Sequence, residues 1–231
     1  MMDTLDILVF GAHADDAEIG MGGTIAKHAQ AGYKVGVCDL TEAEMSSNGT
    51  VELRKQEAAE ASKVLGLMMR SNLGLPDRGL APTRMQIDRI VAEIRTYKPR
   101  IVFAPYWVDR HPDHVAASRL IEEAVFNAKL RRYMPELPAV QMPQLVYYYI
   151  NDTAEVSLVV DISDFQETKR NALLAYRSQF DAAAGADQVA TPLTNRYVER
   201  VEARDSLLGQ ARGWAFAEGF AVKSPHAVQL F

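Results

Sequence analysis

The sequence predicts an α/β fold in three layers, with a mostly parallel central sheet covered by helices on both faces. Three observations carry that prediction. Short uninterrupted apolar runs such as "DILVF" (6–10) and "IVFAP" (101–105) have the composition of strands buried on both sides. Each is followed by a stretch with helical periodicity, so strand and helix alternate along the first half of the chain. Polar clusters stand directly after two of these runs, where open α/β sheets build their sites.

The elements follow in order. After strand 6–10 and Gly11, residues 17–31 read as a helix with Ile19, Ile25 and Ala26 on one side and Gly32 beyond its end. "KVGVCDLT" (34–41) is the next strand, completing a βαβ unit with a right-handed crossover. Residues 42–50 are a loop, and "VELRKQEAAEASKVLG" (51–66) is a charge-laced helix closed by Gly66. The stretch 73–83 is irregular, helix resumes at 84–98, and strand 101–105 leads into "WVDRHPDH", where Pro112 suits the first turn of a helix. The Pro-bearing segment 134–143 reads as a loop over the core. Residues 144–151 and 157–163 are expected as strands, and 164–180 and 194–212 as helices. With 231 residues and no repeat or low-complexity tract, the chain is expected to form a single domain over 1–231.

Composition narrows the function. Apolar residues make up 48% and charged residues 24%, values of an ordinary globular domain. The net charge of -5, without a basic block, argues against nucleic acid as a partner. No apolar run approaches the ~18 residues of a membrane span, and the start lacks signal-peptide features, so a cytoplasmic location is expected. Cys38 is the sole cysteine and sits in an apolar run, which reads as a buried small hydrophobe. A metal site must therefore use nitrogen and oxygen.

The clusters "HADD" (13–16) and "HPDH" (111–114) supply such donors. His13, Asp16 and His114 form a candidate site of two imidazoles and one carboxylate, leaving positions open for water and substrate as catalytic zinc sites do, with Fe2+ the other candidate. Asp15, beside a carboxylate committed to metal, is the candidate general base. His111, paired with Asp113, is expected as an imidazolium that stabilises a developing oxyanion. His28, His226 and the "YYY" run at 147–149 are assigned no functional role.

At these residues the chain resembles the PIG-L, or LmbE-like, zinc-dependent N-acetylglucosamine deacetylases, through "AHADD" and "HPDH". Ala14 stands where that family's first motif usually has proline. The likeness extends through "GMGGTIAK", "DLTEAEMSSNGTVELRKQEA", "LPDRGL", "YKPRIVFAPY", "YMPEL" and "TPLTNRYVE", covering most of the chain. It implies a Rossmann-like fold, and it is nearest the branch that deacetylates N-acetylglucosaminyl-malate in bacillithiol biosynthesis; other N-acetylated sugars, including N-acetylglucosamine and chito-oligomers, are the alternative substrates. The resemblance implies the same metal ligands and base. It also implies that Arg54 and Asp77 contact the substrate, that Arg110 borders the pocket, and that Tyr197 helps hold the oxyanion. A homo-oligomer, with the hexamer among its forms, is implied as well. A nucleotide-binding module is the rival from another class, although "GAHADDAEIG" lacks G-x-G-x-x-G and puts carboxylates where a pyrophosphate needs amide donors. A non-catalytic assembly module is a further rival.

Overall fold

A computed structural model describes residues 4–185 and 187–224, so His226 lies outside the described residues. The first half alternates as the apolar runs predict: β1 (Ile7–Gly11), α1 (Asp16–Gln30), β2 (Val35–Thr41), α2 (Val51–Leu65), β3 (Met69–Leu75), α3 (Arg84–Tyr97), β4 (Ile101–Pro105) and α4 (Pro112–Ala128). The second half holds β5 (Gln144–Tyr148), β6 (Leu158–Asp161), a 3-10 turn at Ser163–Phe165, α5 (Gln166–Leu174), α6 (Arg177–Phe180), α7 (Tyr197–Gln210) and β7 (Ala217–Ala221). Local chemistry sets the helix ends. Thr50 and Thr83 accept hydrogen bonds from the free N–H groups of Leu53 and Gln86, and Gly66 closes α2 at φ 70°.

One sheet runs in the order β3-β2-β1-β4-β5-β7-β6. The first five strands are parallel, and β7 is antiparallel to both β5 and β6. Chain order reverses between β1 and β4, which pair with Val9 opposite Phe103. The loops leaving these two strands turn apart, opening a crevice at the carboxyl edge of the sheet. Both polar clusters sit there.

Alternation along β1 feeds two cores. Leu8 and Phe10 pack towards Ile87, Ile90 and Ile94 of α3 and Leu120 and Ile121 of α4. Ile7 and Val9 face the opposite way, among Ile25, Ala61, Leu173 and Val201. Each such fully buried aliphatic side chain contributes about 1.5–3 kcal/mol. Cys38 is fully buried among the first group, as read from the sequence. The three tyrosines at 147–149 divide between the two faces as strand alternation requires. Arg95 is also buried and donates to the carbonyls of Ala128, Leu130, Tyr133, Met134 and Leu137, which pins the start of the 134–143 loop to the core.

The structure departs from the sequence expectations mainly at the sheet edges. The chain at 69–75 is a strand, although its Arg, Ser and Asn residues break the apolar pattern, because β3 lies at an edge and is only partly covered. "AEGFA" (217–221) is a strand as well, short, glycine-containing and carrying Glu218. That carboxylate is buried, accepts hydrogen bonds from the N–H groups of Gly23 and Thr24, and faces Lys169 at 2.7 Å. Those two amides are free because α1 is kinked at Met21, whose φ of -152° is not helical. The expected helix 164–180 is broken into the 3-10 turn, α5 and α6, and the helix expected from 194 begins at Tyr197 after a turn closed by Thr191 and Thr194. The strands expected at 144–151 and 157–163 are shortened to Gln144–Tyr148 and Leu158–Asp161. Among the described residues, no helix is long and apolar enough to cross a membrane.

Candidate metal centre and catalytic site

The turn from β1 into α1 places His13 in the crevice, Asp15 at the cap of the helix and Asp16 at its first position. Asp15 has φ 125°, a conformation that strains a residue with a side chain by about 1–3 kcal/mol. Arg54 of α2 reaches across to this turn: its Nε donates to the Ala14 carbonyl at 2.8 Å and its Nη2 to Asp15 Oδ2 at 2.9 Å. The strained turn and its carboxylate are thus clamped by one guanidinium fork.

Asp16 stands between two imidazoles. Its Oδ2 lies 3.7 Å from His13 Nδ1 and its Oδ1 lies 3.1 Å from His114 Nε2. On the far side of each ring is another carboxylate, Asp77 at 3.2 Å from His13 Nε2 and Asp109 at 3.0 Å from His114 Nδ1. An ionised carboxylate only accepts hydrogen bonds, so each outer nitrogen carries a proton, and each inner nitrogen, which faces Asp16, offers its lone pair once a metal displaces the second proton. Two imidazole nitrogens and a carboxylate presented this way fit a zinc or ferrous ion. Among the described residues, the ligand atoms that all lie within 4.8 Å of one another belong to His13, His111 and His114, and to His13, Asp77 and Asp113; the expected set of His13, Asp16 and His114 is not one of these, because Asp16 turns a different oxygen to each ring.

Electrostatics agree with the crowding. Burial pushes the Asp15 carboxyl up to about 7 against the opposing pull of Arg54. Burial opposes a charge on His114, yet Asp16 and Asp109 overcome it and raise the ring to about 9. His13 is raised for the same kind of reason by Asp113, Asp16 and Asp77, again against burial. Asp16 is held well below the usual carboxylate range by His114 and His13 despite its own burial.

One expected pair does not form. The Asp113 carboxylate acts on His111 only through its charge, since it turns the other way, accepting from the Arg78 N–H at 2.7 Å and lying 3.7 Å from His13 Nε2. What Asp113 gives His111 is its backbone N–H, donated to Nδ1 at 3.2 Å as His111 caps α4. Burial and the neighbouring rings of His114 and His13 lower the His111 pKa, against the opposing pull of Asp16 and Asp113. With Nδ1 accepting, that ring keeps an N–H at Nε2.

The remaining predicted residues all line a cavity of about 460 Å3 over this cluster, within the usual range for small-molecule sites. Arg110 is exposed at its rim. Tyr197 is buried, and its hydroxyl donates to Asn151 Oδ1 at 3.1 Å. Burial holds that hydroxyl protonated far above the usual phenol range. Arg54 and Asp77 reach the wall, Arg54 with Nε and Nη2 engaged as described and Nη1 buried without a partner, and Asp77 engaged through His13 and the Met45 N–H at 3.0 Å. Both act on neighbouring site residues as well as lining the cavity. Sequence reasoning missed Asp109 and Asn151. Their only sequence signal was position, a polar residue a few places beyond the end of a buried strand.

Comparison with known proteins places this geometry in a family. A diacetylchitobiose deacetylase of Thermococcus kodakarensis is 33% identical over 193 residues, covering 77% of this chain and 71% of that protein. A Bacillus subtilis protein described as "Probable N-acetyl-alpha-D-glucosaminyl L-malate deacetylase 2" is 29% identical over 75% of this chain and 82% of its own length. A 4-oxalmesaconate hydratase of Pseudomonas putida is 25% identical over 96% of this chain and 90% of its own. Among solved structures, the conserved protein TT1542 of Thermus thermophilus is 41% identical with a TM-score of 0.89, covering 97% of each chain. The family profile described as GlcNAc-PI de-N-acetylase matches residues 8–125, the span from β1 through both polar clusters, and the chain belongs to the PIG-L family of deacetylases.

Proposed function

We propose that this protein hydrolyses the acetamide of an N-acetylglucosaminyl conjugate, with N-acetylglucosaminyl-malate as the substrate and zinc as the metal. The observation that carries the reading is the placement of Asp15, a buried carboxyl near 7, beside the His13, Asp16 and His114 cluster at the floor of an open cavity. A zinc ion on His13 Nδ1, Asp16 and His114 Nε2 would act as Lewis acid on the amide oxygen and on the attacking water.

The side chains divide the remaining work. Asp15 takes the proton of the attacking water and returns it to the departing amine, tasks suited to a carboxyl poised near neutrality. His111 offers its Nε2–H to the oxygen of the tetrahedral species, and Tyr197 does so by turning its one hydroxyl proton away from Asn151 Oδ1. Arg54 keeps Asp15 in place and lowers the cost of its ionised form. Arg110, at the cavity rim, suits a carboxylate on the appended group. Products are acetate and the free glucosamine conjugate.

The test is acetate release from N-acetylglucosaminyl-malate, N-acetylglucosamine and diacetylchitobiose by metal-analysed protein, before chelation and after zinc is restored. Zinc-dependent release favouring the malate conjugate is expected. Release only from the other sugars would retain the reaction and move the substrate. Absence of acetate from all three by zinc-loaded protein, with hydration of an unsaturated dicarboxylic acid instead, would overturn the reading.

A further inference from the structure

The loops that follow β4 and β5 leave the sheet side by side, because these strands pair in register with Pro105 opposite Tyr148. Asp109 comes from the first loop and Asn151 from the second. Their meeting produces an arrangement that the two metal-binding motifs do not contain. Asp109 Oδ1 accepts from the His111 N–H at 2.7 Å and from Asn151 Nδ2 at 2.8 Å, and lies 3.0 Å from His114 Nδ1. Its Oδ2 faces the Asn151 N–H at 3.3 Å. The carboxylate is therefore held by donors on two loops before it meets the histidine.

Asn151 is fixed by the same logic. With Nδ2 spent on Asp109, its Oδ1 points away and accepts the Tyr197 hydroxyl at 3.1 Å. A reversed amide would set two acceptors together at the Asp109 end. A single hydrogen-bonded series thus runs His114, Asp109, Asn151, Tyr197, from one edge of the cavity floor to its wall.

An imidazole with no partner on its outer nitrogen can rotate and change tautomer, and either change removes the lone pair from the metal side. A fixed carboxylate prevents both. We propose that Asp109, held by Asn151, is a positioning residue that commits His114 Nε2 to the metal, and that Asn151 ties this ligand to Tyr197. The proposal rests on His13, Asp16 and His114 being the metal centre.

Its test measures zinc affinity of the full-length chain by competition with a chromophoric chelator, and the visible spectrum of the cobalt-substituted protein. Asp109→Ala should weaken zinc by about 10–100-fold and alter the cobalt bands. Asp109→Asn, which keeps an acceptor oxygen towards His114 without the charge, should lose less. Asn151→Ala should weaken zinc too, and the double variant with Asp109→Ala should bind no worse than Asp109→Ala alone, since both act along one series. Wild-type affinity and spectrum in both Asp109 variants, with tight binding lost in His114→Ala, would overturn the proposal while leaving the metal centre intact. Wild-type affinity in His114→Ala would overturn the metal centre itself. Additive losses in the double variant would sever Asn151 from the series. If Asp109→Ala does not fold, Asp109→Asn decides alone: weakened zinc with shifted cobalt bands supports the role, and wild-type behaviour refutes it.

Discussion

Replacing Arg54 with methionine separates two roles that a basic residue in this cavity wall could play. In the structure its fork is committed to the Ala14 carbonyl and to Asp15 Oδ2, at 2.8 and 2.9 Å. Asp15 sits near 7 with Arg54 pulling it down, so about half of it is ionised at neutral pH. A cation this close ordinarily lowers a carboxylate pKa by about 1–3. Removing it moves Asp15 upward by that amount, and the ionised fraction at pH 7 falls from about one half to between about 9% and 0.1%. If Asp15 is the base, kcat at pH 7 drops by about 5-fold to 500-fold and the acid limb of the profile shifts to higher pH. Arg54→Lys keeps the charge without the fork and should fall between. The assay is the pH dependence of kcat and KM for acetate release by wild type and both variants. An acid limb that stays in place while KM alone rises would refute the reasoning and return Arg54 to substrate binding.

Further perturbations test the scaffold and the metal ligands. Gly20→Ala puts a methyl 2.1 Å from Tyr148 Cδ2 and 2.9 Å from the Tyr149 carbonyl, so it should cost about 1–3 kcal/mol, read as a lowered Tm. Lys169 is fully buried between Asp205 at 2.6 Å and Glu218 at 2.7 Å, and Lys169→Met should cost about 3–5 kcal/mol in urea unfolding by removing the cation that the two buried carboxylates share. His114 is raised to about 9 and His13 is raised as well, so both hold protons at neutral pH that a metal must displace. Zinc affinity should therefore rise with pH up to about 9, with proton release measured by calorimetry in buffers of different ionisation enthalpy; affinity independent of pH would contradict these protonation states.

The apolar runs that became β1, β2 and β4 are buried on both faces, and burial on both faces is a property a sequence displays directly. Helix ends were similarly legible at Gly66 and Pro112, because capping is a matter of a few adjacent residues. The crowding of His13, Asp15, Asp16, His111 and His114 also follows from sequence, since each motif ends a strand and the parallel arrangement brings those ends to one edge. Tertiary structure decided what local pattern does not encode. β3 and β7 are strands by virtue of the neighbours they pair with, against their own composition. The direction of Asp113 was settled by the Arg78 amide, Arg54 was drawn to the strained turn at Asp15, and Asp109 is held beside His114 by Asn151, which comes from a loop 42 residues further along the sequence. Sequence determined which ionisable groups would share the crevice; their pairing depended on hydrogen-bond geometry across separate loops, and that geometry exists only once the sheet has set the loops side by side.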